Sequence, residues 1–208
     1  MNARIIHKPI QLPTNLEELA SKEYYPVKVK GTFMYEKEFL VGLRTLIVDG
    51  KAAESSFIGS SDIQKGYCVV TPFKLSDQDL TILVNRGWVP KQLRNPVTRQ
   101  ESQVKEEVEI TGILRLNEAR PSFFPKNSPK DDIWYYRDVN TMARKAETAP
   151  VYIEMVRDKN SSKYPVGGQT IVKLRNEHLS YIFTWYSLSA LTSYMWYKQI
   201  FKRVQVLR

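Results

Sequence analysis

Apolar and polar residues alternate along several short runs in the first three quarters of the chain, which is the pattern of half-buried β-strands. The first run, Tyr25–Lys30, ends at Gly31, and a second apolar stretch covers Phe39–Ile47. Two further apolar runs, Gly66–Phe73 and Leu80–Val84, are separated by a short polar segment. Two strand-like runs on either side of a polar turn predict a β-hairpin.

A further strand is predicted where apolar residues recur at every second position. Val108, Ile110, Leu114 and Leu116 share one face, and Gly112 between them is an expected bulge or close approach.

The segments around these strands predict loops, one short helix and two more strands. Asp49–Lys65 is polar and rich in small residues, and Arg120–Asp132 contains three prolines that exclude regular strand pairing. Asp138–Glu147 predicts a helix that its first residue caps. The last strands are predicted at Val151–Val156 and, after a double-glycine turn, at Thr170–Leu174. The predicted fold class is α+β, a mostly antiparallel small barrel or sandwich with a short helix.

The longest uncharged run, Leu179–Tyr197, predicts a C-terminal transmembrane helix. As a helix this run would be about 28 Å long, close to the roughly 30 Å hydrocarbon core of a bilayer. Trp and Tyr are concentrated at both ends, as in an aromatic belt. The Ser and Thr residues within the run also fit a buried amphipathic helix of a soluble protein. Such hydroxyls can bond back to their own helix, and they favour packing against other helices over exposure to lipid.

These patterns divide the chain into four parts. Residues 1–20 are an N-terminal extended segment, 21–176 the β-rich domain, 177–198 the transmembrane helix and 199–208 a basic tail. No acidic residue follows the apolar run, whereas several Lys and Arg residues do. By the positive-inside rule the tail stays on the cytoplasmic or matrix side, and the β-rich domain faces the other compartment.

Composition and charge exclude several classes of function. The net charge of +9 suits nucleic acid, anionic lipid and acidic protein partners alike. With one cysteine, Cys68, and two histidines, His7 and His178, an intramolecular disulfide is excluded and a metal site is not expected. No nucleophile–base set and no phosphate-binding loop is recognisable, which favours a protein that is not an enzyme. The stretch Arg86–Lys91 fits single-stranded nucleic acid only loosely, and no nucleic-acid partner is expected.

His178 is the candidate binding residue because it lies one position before the apolar run. On a helix it shares a face with Arg175, Tyr181, Ile182 and Trp185. An imidazole beside aromatic rings, with an arginine one turn away, suits haem, since it supplies an axial nitrogen, a stacking surface and a cation for a propionate. The alternative is an interfacial histidine that hydrogen-bonds the start of the helix, and the residues alone leave both open.

Five blocks of sequence, in order from about Pro9 to Phe201, resemble the Surfeit locus protein 1 family. The blocks are Glu23–Gly31, Gly66–Phe73, Ile82–Pro90, Trp134–Asp138 and a closing set of Gly167–Thr170, Leu174–Leu179 and Thr184–Tyr186. The closing set resembles the mitochondrial branch. The chain begins just after the point where the family's first transmembrane helix should end, so we expect the targeting region and that helix to be missing.

The resemblance implies an assembly factor for mitochondrial cytochrome c oxidase, which is complex IV of the respiratory chain. It implies a chaperone of the inner membrane with its main domain in the intermembrane space and its C-terminus in the matrix. Its partners would be the catalytic core subunit, in early intermediates, and other assembly factors. In bacterial relatives a histidine in the position of His178 is associated with haem a. The resemblance therefore implies either transient haem a binding by His178, surrounded by Arg175 and Trp185, or a scaffold that binds no haem.

Overall fold

The computed structural model describes residues 7–13, 16–48, 51–52, 65–120, 122–157, 164–170 and 178–206. The chain forms two compact units, Met1–Val172 and Lys173–Arg208. The strands are β1 (Ile10–Gln11), β2 (Pro26–Phe33), β3 (Phe39–Thr45), β4 (Ile47–Val48), β5 (Lys51–Ala52), β6 (Lys65–Leu75), β7 (Thr81–Pro90), β8 (Val108–Arg115) and β9 (Tyr152–Met155). The helices are α1 (Val139–Ala146), α2 (His178–Val206) and short 3-10 helices at Leu16–Ala20, Tyr35–Lys37, Lys91–Leu93 and Pro96–Ser102.

Five strands close into a barrel in the order β2–β8–β9–β7–β6, and β6 pairs again with β2. Gly31 is the point where β2 leaves β8 and joins β6, because it pairs with both Val108 and Leu75. A Cβ at Gly31 would lie 2.0 Å from the carbonyl oxygen of Lys74, so this close approach requires glycine. The strand predicted to end at Gly31 therefore continues to Phe33 on a new neighbour.

Most neighbouring strands of the barrel are antiparallel, while β7 and β9 are parallel. Outside the ring, β1 adds to β2 and β3 adds to β6. The predicted α+β class and the predicted hairpin, which is β6–β7, are confirmed. Because the ring closes, the architecture is the small barrel and not the sandwich.

Alternate side chains of the strands belong to two separate cores. The inner core lies in the barrel and includes Val27, Val29, Phe73, Leu75, Ile82, Val84, Ile110, Leu114, Val151 and Ile153. The outer core lies between the barrel, β3 and α1, and includes Phe39, Val41, Val70, Leu83, Trp134, Val139, Met142, Ala143, Ala146 and Tyr152. Tyr152 and Ile153 are adjacent and both buried, so β9 is covered on both faces.

The helix α1 forms because its apolar residues share one face and its first turn is capped. The Asp138 carboxylate accepts a hydrogen bond from the backbone N–H of Thr141 at 3.1 Å, which satisfies one free donor of the helix start. Glu147 ends the helix in the left-handed conformation. The predicted helix Asp138–Glu147 and its cap are thus confirmed.

Two predicted elements lie largely outside the described residues. The predicted strand Thr170–Leu174 is described only at its first residue. The predicted loop Asp49–Lys65 is described only where β5 pairs with β4 and where β6 begins.

The helix α2 contains the whole apolar run Leu179–Tyr197, so the predicted helix is confirmed. Of the helices in the part of the chain that the structure describes, none combines the length and the apolar character that a membrane crossing requires. The transmembrane character predicted for residues 177–198 is therefore not supported. The physical reason is composition, because the Tyr, Trp, Ser and Thr residues of the run all lower its mean hydropathy.

Candidate functional site

The exposed surface of α2 is the first candidate site. All side chains from Tyr181 to Ile200 are exposed. The large apolar ones are Tyr181, Ile182, Phe183, Trp185, Tyr186, Leu188, Leu191, Tyr194, Met195, Trp196, Tyr197 and Ile200. Large contiguous apolar patches mark binding surfaces, and Tyr and Trp are enriched in protein interfaces. The helix is therefore a candidate for packing against a partner.

Hydroxyl groups of α2 are hydrogen-bonded within the helix itself. Ser187 donates to the carbonyl oxygen of Phe183 at 2.7 Å, and Thr192 donates to that of Leu188 at 2.9 Å. This is the bonding within the helix that the Ser and Thr residues of the run predict. A hydroxyl that is already bonded loses less when an apolar partner covers it, so these residues are compatible with helix packing.

The residues predicted to bind haem lie only partly within the described chain. His178 begins α2 and Trp185 follows two turns later, while Arg175 lies outside the described residues. Trp185 is 63% exposed, and Tyr181 and Ile182 beside it are also more than half exposed. Sites that hold a cofactor are usually concave and bury most of its surface. Of the three predicted residues only the side chain of Trp185 is described, and it lies on an exposed surface.

A buried cluster of opposite charges, which the sequence pattern did not predict, lies on the outer face of the barrel. The carboxylate of Glu154 on β9 accepts hydrogen bonds from Arg137 at 2.9 Å and from Arg115 at 3.2 Å. It also accepts one from the Thr170 hydroxyl at 2.6 Å. Glu154 is 6% exposed and Arg137 8%. Charges so far removed from water persist only when they are paired.

A second carboxylate extends this cluster. Glu118 accepts two hydrogen bonds from Arg44, at 3.3 and 2.5 Å, and one from the backbone N–H of Arg137 at 3.1 Å. Burial disfavours the charged form of Glu118, but the hydrogen bonds and positive charges of Arg44 and Arg137 together outweigh that effect and lower the pKa of its carboxyl. Burial also raises the pKa of the nearby Cys68 thiol to about 12, so this thiol is a poor nucleophile at neutral pH.

The cluster holds distant chain segments together. Its members come from β3, β8, β9 and the segment that precedes α1, and each carboxylate is hydrogen-bonded to an arginine. Across the described ranges, no three His, Cys, Asp or Glu side chains gather where they could hold a metal ion. One sequence signal existed, since Glu154 is a lone charge inside the apolar run Val151–Val156.

The segment 164–170, which precedes α2 in the sequence, is fixed to the barrel. Trp88 and Val166 exchange two backbone hydrogen bonds of 2.9 Å each. Gly87 permits this approach, because its φ is +133° and a Cβ there would lie 2.2 Å from the carbonyl oxygen of Val166. The side-chain oxygen of Gln169 accepts a hydrogen bond from β4 at 2.9 Å. Together with the hydrogen bond from the Thr170 hydroxyl to the Glu154 carboxylate, these bonds hold the segment along its length.

The stretch Arg86–Lys91, weighed above as a nucleic-acid surface, belongs to the barrel wall. Trp88 is fully buried. The guanidinium carbon of Arg86 lies 5.3 Å from the ring centroid of Phe33 and 5.0 Å from that of Tyr35. Both side chains are thus occupied within the protein and cannot stack on a base.

Comparison with known proteins gives a consistent result. A profile of the SURF1 family matches residues 1–190. The chain is 45% identical over 203 residues to Surfeit locus protein 1 of Rattus norvegicus, an alignment that covers 98% of this chain and 66% of that protein. Identity to the Homo sapiens protein of the same name is 44% over 202 residues, covering 97% and 67%. The SURF1-like protein of Drosophila melanogaster is 44% identical over 206 residues, covering 98% and 68%. The chain spans about two thirds of the length of these curated relatives.

Proposed function

This chain belongs to the SURF1 family, and from that membership we propose that it is an assembly factor for mitochondrial cytochrome c oxidase and not an enzyme. In this proposal it acts as a chaperone of early intermediates built on the catalytic core subunit, together with other assembly factors. The arrangement of the buried charges supports a binding protein, because the carboxylates of Glu118 and Glu154 are both hydrogen-bonded to arginines within the protein.

The observation that carries the proposal is the exposed aromatic surface of α2. Interface energy is concentrated in a few Trp, Tyr and Arg side chains that become fully buried on binding. Trp185 and Trp196 are both more than 60% exposed, so each has apolar surface to lose to a partner. We infer that α2 packs against helices of the nascent oxidase.

The proposed location is the mitochondrial inner membrane. Family membership supports it, and so does the composition of α2, which combines aromatic residues with a basic C-terminal part that follows Lys198. Trp, Tyr, Lys and Arg are the residues that favour a membrane–water interface.

Delivery of haem a through His178 stays a prediction. Its support is the family resemblance and the position of His178 at the start of α2. The exposed aromatic side chains of α2, which suit a protein partner, support the alternative of a scaffold that binds no haem.

The test is rescue of the oxidase in cells that lack their own family member, using this chain with a mitochondrial targeting sequence. The variant Trp185→Ala/Trp196→Ala removes two exposed aromatic anchors from α2. Val97→Ser is the matched control, since it removes a 66% exposed apolar side chain from the barrel unit. Assembled oxidase is measured on native gels, and contact with the core subunit by crosslinking.

Wild type and Val97→Ser should restore the oxidase. The double variant should lose most crosslinking, because two hot-spot residues of about 2 kcal/mol each weaken binding several-hundredfold. A wild-type chain that restores no oxidase would refute the assembly role. Rescue by the double variant would instead refute the binding role of α2. His178→Ala, compared with wild type for haem absorption and for rescue, separates the haem carrier from the scaffold.

A further inference from the structure

The connection between β8 and α1 carries an aromatic pair that belongs to neither core. In residues 122–126, which we call the aromatic loop, Phe123 is 101% exposed and Phe124 more than one third exposed. Burying one phenylalanine side chain is favourable by about 1.5–3 kcal/mol, and here that gain is left unrealised within the chain. Exposed apolar residues on a loop tip carried by a rigid scaffold are candidates for binding.

The base of the aromatic loop is held firmly. The side-chain oxygen of Asn127 accepts hydrogen bonds from the backbone N–H groups of Tyr135 and Tyr136, at 2.8 and 3.3 Å. Ser128 and Ile133 exchange two backbone hydrogen bonds of 2.9 and 3.0 Å. The tip is thus presented by a fixed support, and a preorganised loop loses less conformational entropy when it binds.

Three cations lie close to the aromatic pair in the sequence. Arg120, Lys126 and Lys130 are exposed, and none of the three forms an ion pair within the described residues. Of the two neighbouring acids, Asp132 pairs with a lysine at 2.7 Å, while Asp131 accepts a hydrogen bond from a serine hydroxyl at 2.6 Å and keeps its charge. Three cations against one acid without an ion pair leave the segment with a net positive charge.

We propose that the aromatic loop inserts into the surface of a bilayer that contains anionic phospholipid. Phe123 and Phe124 enter the boundary between headgroups and acyl chains, while Arg120, Lys126 and Lys130 bind lipid phosphates. A bilayer surrounds a protruding ring without needing a matching shape, and its phosphates can bind the exposed cations that flank the tip in the sequence. These features favour lipid over an acidic protein surface. The inference does not rest on the role in oxidase assembly, because purified protein and vesicles suffice to test it.

The first measurement is co-sedimentation of the full chain with vesicles of phosphatidylcholine containing about one fifth phosphatidylglycerol, against phosphatidylcholine alone. Phe123→Ser is compared with Val97→Ser, since both remove an exposed apolar side chain. Lys126→Gln/Lys130→Gln is compared with Lys91→Gln, an exposed lysine elsewhere on the barrel unit. The helix α2 is unchanged in every variant, so any binding by α2 is common to all.

The second measurement follows insertion directly. A polarity-sensitive fluorophore is attached at Ser122→Cys, with Lys91→Cys as the control position and the unsubstituted chain as the background for labelling of Cys68. We expect Phe123→Ser to lower the partition coefficient about tenfold. Each loop lysine should raise the partition coefficient about fivefold at low salt. Added salt should remove this contribution of the lysines. The label at position 122 should shift to the blue with anionic vesicles while the label at position 91 does not.

Two results would overturn the proposal. A label at position 122 whose emission is unchanged by anionic vesicles would show that the tip stays in water. Equal vesicle binding by Phe123→Ser and Val97→Ser would show that the ring makes no contact with lipid. In either case the aromatic loop would be assigned to an acidic protein surface instead.

Discussion

Neutralising the buried carboxylate of Glu154 should destabilise the barrel strongly. Glu154→Gln keeps the volume of the side chain but removes the negative charge that lies 2.9 Å from Arg137 and 3.2 Å from Arg115. Removing one partner of a buried ion pair costs about 3–5 kcal/mol, because the remaining charge stays buried without compensation. Domains of ordinary stability unfold with about 5–15 kcal/mol, so this is a large fraction of the total.

The assay is thermal unfolding followed by circular dichroism, with a matched surface variant. For a unit of this size each kcal/mol corresponds to about 2–4 °C, so Glu154→Gln should lower Tm by roughly 6–20 °C. Glu109→Gln breaks an ion pair with Lys28 of 2.7 Å in which both side chains are about half exposed, and it should cost at most about 1 kcal/mol.

The difference in Tm between Glu154→Gln and Glu109→Gln tests whether the buried cluster stabilises the barrel. If Glu154→Gln lowers Tm no more than Glu109→Gln does, the buried cluster does not contribute to the stability of the barrel as argued here. Adding Arg137→Met to Glu154→Gln provides a further check. The double variant should be less destabilised than the sum of its single variants, because it removes both members of one interaction.

Three further predictions concern the cap, the cysteine and acid stability. Asp138→Ala should cost about 1 kcal/mol in thermal unfolding, whereas Asp138→Asn, which can still cap α1, should stay near wild type. The pKa of the Cys68 thiol is raised to about 12. Cys68 should therefore react with a thiolate-directed reagent about a thousandfold more slowly than an ordinary thiol of pKa about 8.5. Equal reaction rates in native and urea-unfolded protein would contradict this. The lowered pKa of Glu118 means that its stabilising contribution is present above the unfolded value of about 4.3 and is lost as pH falls through the folded value. Glu118→Gln should therefore be less stable than wild type near neutral pH and should lose less stability on acidification, as measured by urea unfolding at a series of pH values.

The sequence predicted those elements whose signals are local. The alternating runs that became β2 and the β6–β7 hairpin carry their period within a few residues. Asp138 predicted the start of α1, because a capping side chain accepts a hydrogen bond from an N–H only three residues away. Gly112 was predicted to permit a close approach, and a Cβ there would lie 2.3 Å from a methyl carbon of Ile153. For the strands and for the cap of α1, the defining pattern or contact lies within a few residues in the chain. For Gly112, the requirement is that one position carries no side chain.

The site was harder to predict because its contacts join residues that are far apart. Arg44 and Glu118 are separated by 74 positions and Arg115 and Glu154 by 39, so no spacing rule links them. The sequence also could not show that Trp88 points into the protein, since an aromatic on a strand can face the core or a ligand. Only the closed ring, with α1 and segment 164–170 against it, decides which strand faces are buried.

By itself the sequence determined the family, the β-rich class, the caps and turns, and the long aromatic helix, because these depend on local pattern and on matched motifs. The tertiary structure decided the closure of the barrel at Gly31, the pairing of Glu154 with two arginines, and the exposure of Phe123. Each of these depends on which distant segments come together and exclude water. Burial sets the strength of a charge pair and the free energy of an exposed ring, and burial is a property of the fold as a whole.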